Sequence, residues 1–98
     1  MAFAVMNVVT TTPGEAAALG ARIESTELPA LEGRPGLRSA RVYRAEDGTQ
    51  VVTITEWRSR EDFLAYRQSE AGKRMVAGAV EAHPKISFLE VVAAIDAS

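Results

Sequence analysis

Twice in this chain a short β-branched run leads directly into a helix-starting signal, and that repeated junction narrows the possible folds more than any other feature. The first run is F-A-V-M-N-V-V-T at 3–10, followed by Thr12-Pro13-Gly14-Glu15. Threonine at the N-cap, proline at the first helical position and glutamate at the third form a capping box, in which each side chain satisfies a backbone N–H of the other residue. The second run is Q-V-V-T-I-T-E-W at 50–57, followed by Ser59-Arg60-Glu61-Asp62, where aspartate replaces the usual glutamate. Each run is predicted to be a strand feeding a capped helix.

The remaining segments fit around these two units. Ala16, Leu19 and Ile23 lie at i, i+3 and i+7 and supply the apolar face of the first helix. Pro29 is expected to set its latest end, because proline removes an N–H and restricts the residue before it. Arg34-Pro35-Gly36 reads as a turn, 37–44 (L-R-S-A-R-V-Y-R) as a strand, and Glu46-Asp47-Gly48-Thr49 as a hairpin connection to the strand at 50–57. Phe63 and Tyr66 share one face of the second helix. Ser69 is placed to cap a third helical segment, 70–81, with an apolar stripe of Ala71, Met75, Val76, Ala79 and Val80. Gly72 and Gly78 weaken it by about 1 kcal/mol each relative to alanine. His83-Pro84 breaks it, and 85–92 (K-I-S-F-L-E-V-V) is the last strand. The order β-α-β-β-α-(α)-β predicts an α+β, ferredoxin-like fold with a four-stranded antiparallel sheet. It forms one domain over 1–98, with its core at about 3–92.

Helices in such a fold cover only one face of the sheet, yet strand one is apolar on both. Phe3, Val5 and Val9 alternate with Ala4, Met6 and Val8, and the last strand sets Ile86 and Phe88 against Leu89 and Val91. A bare face of this kind would be a large exposed apolar patch. A chain of 98 residues buries only about 60–65% of its unfolded surface. A homodimer packed sheet against sheet is therefore expected.

Composition removes several classes of function. The net charge is −2 and the 11 Lys+Arg are scattered, which argues against nucleic acid, whose phosphates demand a basic face. No cysteine is present, excluding disulfides, thiolate metal sites and cysteine nucleophiles, and a cytoplasmic location is expected. The N-terminal residues Met1 to Met6 carry no basic segment of a signal peptide, and no run approaches the roughly 20 apolar residues that span a bilayer. No membrane partner is expected. G-x-S-x-G, G-x-G-x-x-G and P-loop patterns are absent. The single histidine, His83, has neither a second histidine nor a cysteine with which to bind a metal and reads as an exposed loop residue.

Two residues stand out. Asn7 lies mid-strand on the face of Phe3, Val5 and Val9. A buried amide without partners costs roughly 1–3 kcal/mol, so it either bonds a neighbour or water, or faces a ligand. Trp57, the only tryptophan, shares strand parity with Val51, Thr53 and Thr55. From chemistry alone, packing is the commoner role of such a residue.

Together, F-A-V-M-N-V-V, the capped helix, P-G-L at 35–37 and V-V-T-I-T-E-W-R-S-R-E-D-F-L-A-Y at 51–66 resemble the antibiotic biosynthesis monooxygenase family. The likeness runs over roughly residues 3–92, and its most telling part is Trp57 followed by Ser59, Phe63 and Tyr66. The resemblance implies a dimeric α/β barrel of ferredoxin-like subunits, each with a pocket between sheet and helices. Members that oxidise aromatic polyketide anthrones to quinones use no flavin, haem or metal, so no cofactor is expected. The catalytic roles carry over onto Asn7 and Trp57. Where those enzymes hold an asparagine four residues before the tryptophan, this chain has Thr53; where some hold a tyrosine six residues after it, this chain has Phe63. For the haem-degrading branch Asn7 fits, but Tyr66 stands where a tryptophan is expected and the histidine ligand would fall near Met75-Val76, where there is no histidine.

The function implied is a cofactor-independent monooxygenase acting with dioxygen on an aromatic, anthrone-like substrate. Asn7 and Trp57 act on it, and Val5, Val9, Thr53, Phe63, Tyr66 and Met75 line the substrate pocket. A general base is not evident. The alternatives are a polyketide cyclase or isomerase using the same pocket, and a non-catalytic binder of small aromatic compounds.

Overall fold

The computed structural model describes residues 2–80 and 83–95, without the side chains of 78–80. Four strands are joined by helices: β1 (Phe3–Thr10), α1 (Pro13–Arg22), a π-helical turn (Ile23–Glu27), α2 (Leu28–Leu31), β2 (Leu37–Arg44), β3 (Gln50–Trp57), α3 (Arg60–Gln68), α4 (Glu70–Val80) and β4 (Lys85–Glu90). The sheet has the order β2-β3-β1-β4 with every pair antiparallel, which is the expected ferredoxin-like arrangement.

Both capped junctions form. The Thr12 hydroxyl accepts from the Glu15 N–H at 3.3 Å, and the Glu15 carboxylate accepts from the Thr12 N–H at 2.9 Å. These bonds hold the Glu15 carboxyl below its ordinary range. At the second junction the shorter aspartate does not complete the box. Ser59 Oγ accepts from the Asp62 N–H at 3.2 Å, but the Asp62 carboxylate accepts from the Ser59 hydroxyl and from Arg58 instead, each at 3.0 Å. Ser69 Oγ likewise accepts from the Gly72 N–H at the start of α4.

Two boundaries differ from expectation. The first helix does not stop before Pro29. It continues as a π turn, in which the Leu28 N–H donates to the Ile23 carbonyl, and ends at Leu31 with Pro29 early in α2. The i→i+5 turn renews the helix just upstream of the proline, at a position where proline's missing N–H breaks no established ladder. The last strand ends at Glu90 rather than 92; beyond the ladder only the Val91 N–H still reaches the Ala2 carbonyl. Of the α4 stripe, the Ala79 and Val80 side chains lie outside the described residues, as does the expected helix end at Glu81.

Register divides the sheet into two chemically distinct faces. Asn7 pairs with Thr53 and Ile86, Val5 with Thr55 and Phe88, and Phe3 with Trp57. Side chains of paired residues point to the same side, so Phe3, Val5, Asn7, Thr53, Thr55 and Trp57 all face the helices. Ala16, Ile23 and Val51 form one buried cluster there; Phe3, Val5, Leu31, Trp57, Phe63 and Tyr66 form another. The opposite face carries Met6, Val8, Val52 and Ile54 at the centre, with Tyr43 and Leu89 exposed beside them. Among the described residues no helix covers that face.

Candidate functional site

The two clusters do not close on each other. Between the sheet and the helices lies a cavity of about 280 Å³. Its walls include all eight residues singled out in the sequence: Val5, Asn7 and Val9 from β1, Thr53 and Trp57 from β3, Phe63 and Tyr66 from α3, and Met75 from α4. The strand parity of Asn7 and Trp57 and the i, i+3 spacing of Phe63 and Tyr66 therefore converge on one space. Apolar walls with a few polar groups are the usual character of small-molecule sites.

Trp57 forms the rigid base of this space. It is fully buried, and its indole N–H donates to the Thr55 hydroxyl at 2.9 Å. Tyr66 stacks on it with ring centres 5.5 Å apart, and Phe63 meets it edge-on at 5.7 Å. One indole face is thus already taken by Tyr66. Thr55 is polar and buried because it serves that indole. Tyr66 itself donates to the Met75 thioether at 3.4 Å and lies under the Arg34 guanidinium, 5.4 Å from the ring centre. Burial raises its phenol pKa, with Arg34 opposing and the Glu27 carboxylate adding to the rise.

Asn7 behaves differently. It is half-buried, and among the described residues its side chain has no hydrogen-bond partner, yet no fully buried polar atom is left unsatisfied. Its amide opens into the cavity. Among the described residues no neighbouring side chain bonds this amide, which leaves water or a ligand as its partner.

The sequence did not single out the charged and outer walls. Arg22, Glu27 and Arg67 line the cavity, together with Pro84, Ile86 and Phe88. Ile86 and Phe88 are 51% and 43% exposed, so the space opens along β4. Glu27 could have been found: it stands four residues after Ile23, on the face that α1 buries, where an acid has no ordinary place. Ile86 and Phe88 share one side of β4 in the sequence, but that this side is the cavity side follows only from the pairing of Ile86 with Asn7 and Phe88 with Val5. His83 is exposed beside Pro84, as expected, with a φ of 48°.

The model of the family described as "Antibiotic biosynthesis monooxygenase" matches residues 2–78. Among curated proteins no match is found. Among solved structures, Rv0793 from Mycobacterium tuberculosis is similar with a TM-score of 0.80 at 22% identity, covering 98% of this chain and 100% of that one. PA3566 from Pseudomonas aeruginosa has a TM-score of 0.72 at 22% identity, covering 94% and 95%. A monooxygenase from the gene ActVA-Orf6 of Streptomyces coelicolor, solved in complex with nanaomycin D, has a TM-score of 0.72 at 24% identity, covering 99% and 92%. At these identities the structures speak to the fold alone, whereas the family model spans most of the sequence, and on that match the chain belongs to the antibiotic biosynthesis monooxygenase family.

Proposed function

We propose that this chain is a cofactor-independent monooxygenase that oxidises a small aromatic, anthrone-like polyketide, working as a homodimer. The observation that carries this reading is an aromatic-walled cavity into which the Asn7 amide opens, without a hydrogen-bond partner among the described residues. The enolate of such a substrate is electron-rich enough to reduce dioxygen itself. The protein therefore has to bind it, promote its ionisation and shield it from water. Asn7 donates to the substrate oxygen on which charge develops. Trp57 is a fixed floor, and Tyr66, stacked on it, sets the plane against which the substrate rings lie, with Val5, Val9, Thr53, Phe63 and Met75 completing the walls. The family membership and the likeness to a monooxygenase solved with a bound small molecule support the same reading.

The test is dioxygen uptake with 1,8-dihydroxyanthrone. One dioxygen consumed per quinone formed is the expected result. A product of unchanged mass would replace the proposal with cyclisation or isomerisation. Saturable quenching of Trp57 fluorescence without product would leave a binding protein.

The homodimer rests on the bare sheet face around Met6, Val8, Val52 and Ile54. Placing a carboxylate at its centre would force an unpaired charge out of water on association. Ile54→Glu is expected to elute as a monomer in size-exclusion chromatography with light scattering, under conditions where the parent chain is a dimer. A parent chain that is monomeric at all concentrations would remove this part of the proposal.

A further inference from the structure

We propose that Glu27 is the base of this cavity, its carboxylate taking a proton from an enolisable or hydroxylated aromatic ligand held between β1 and the π turn. The inference rests on the oxygenation reading above and supplies the acceptor that reading lacks. Glu27 lines the cavity, and its side chain is only 22% exposed. It sits at the end of the π turn, and single π turns recur at functional sites.

Geometry also governs how Glu27 is paired. Arg22 and Glu27 are five residues apart, a spacing that separates side chains on a regular α-helix but that the i→i+5 turn brings to one side. Even so, the guanidinium reaches the carboxylate only at 4.0 Å, the outer limit of an ion pair, and leaves it free to accept a proton. Among the described residues, the charged and titratable groups that act on Glu27 or share its cavity are Arg22 from the preceding helix, Tyr66 from α3 with Arg34 over the Tyr66 ring, and Arg67 elsewhere on the cavity wall. Burial raises the Glu27 pKa, and Arg22 only partly opposes the rise. A carboxylate displaced toward neutrality is better matched to take up and return a proton.

The step balances without a further reagent. Glu27 takes one methylene proton of an anthrone-like ketone, leaving the enolate. The electron pair of the broken C–H bond ends in a new C–O bond to dioxygen, and the proton returns from Glu27 to the terminal peroxide oxygen. The resulting hydroperoxide loses its second C–H proton as the O–O bond breaks, giving the new carbonyl and one water. The ring carbon is oxidised and dioxygen is reduced.

The experiment separates proton removal from oxygen chemistry. The full chain is incubated with 1,8-dihydroxyanthrone in D₂O under argon, and deuterium entering the methylene position is followed by mass spectrometry. Binding is followed by Trp57 quenching, and dioxygen uptake is measured separately in air. The parent chain is expected to accelerate exchange. The acceleration should fade as pH drops through the raised Glu27 pKa, because the protonated carboxyl accepts nothing. Glu27→Gln should bind the probe within about threefold but exchange about 100-fold more slowly, in the range for loss of a positioned base. Glu27→Asp should keep part of the rate. Burial disfavours the charged form, so the glutamine variant should melt at or above the parent temperature, which separates loss of exchange from loss of fold.

Equal exchange in parent and Glu27→Gln overturns the assignment, as does a parent chain that accelerates no exchange. Exchange dependent on Glu27 with no dioxygen uptake in air keeps the base and removes the oxygenation reading. Uptake indifferent to Glu27→Gln does the reverse. A chain that fails to bind the probe at all overturns both.

Discussion

Replacing Trp57 by alanine is expected to cost about 3–5 kcal/mol of folding free energy, in the range for deletion of a large buried aromatic. The indole is fully buried and touches Tyr66, Phe63 and Thr55 at once. Its removal would merge the cavity with a new void and leave the Thr55 hydroxyl without its donor. Native domains hold only about 5–15 kcal/mol in total, so the variant should lose much of its stability in urea titration. Trp57→Phe is the control. Phenylalanine keeps a ring beneath Tyr66 and gives up the N–H bond, a loss closer to about 1 kcal/mol. Equal losses in the two variants would show that the N–H, not the stacked ring, is what this position supplies.

Asn7→Leu should have the opposite profile, with little change in stability and a large loss of turnover. Its neighbours on the cavity side of β1 are Val5 and Val9, and among the described residues the amide bonds nothing. Leucine adds apolar surface and abandons no partner, so the variant should melt within a few degrees of the parent chain. If the amide donates to charge developing on the substrate oxygen, turnover should fall about 10²–10³-fold, the range for loss of one such donor. The loss should appear in kcat, because the donor matters more to the developing charge than to the ground state. Unchanged dioxygen uptake would place Asn7 outside the chemistry.

These two variants mark what could be read from the residues alone. The strands were legible because β-branched runs end at strong punctuation, whereas the register between them was not, since alternation fixes parity within a strand and not which residues pair across two. Alternation grouped Asn7 with Val5 and Val9, and Trp57 with Thr53 and Thr55, and the antiparallel pairing of β1 with β3 then joins the two groups on one face. Phe63 and Tyr66 were legible for a similar reason, since i and i+3 meet on a helix. The path of the chain through Pro29 was not legible. Proline normally predicts a stop, and the widened turn that accommodates it has no sequence mark of its own. The same turn hid the pairing of Glu27 with Arg22, which spans five residues where helical spacing suggests three or four, although the spacing of Glu27 from Ile23 did mark its side of the helix. The charged wall of the cavity was therefore missed while its apolar wall was found. Asp62 is a smaller case: its position signalled a cap, but its length decided that it would bond the serine hydroxyl and Arg58 instead of the backbone.

The alternation along β1 has one more consequence. Met6 and Val8 point to the bare face while Asn7, between them, points to the cavity, so two binding events would grip one stretch of peptide from either side. Ligand uptake and subunit association would then be linked equilibria, and linkage is reciprocal: whatever factor a partner adds to ligand affinity, the ligand adds to association. With a factor above one, diluting the protein would loosen its hold on small molecules; with a factor below one, saturating it with them would part the pair.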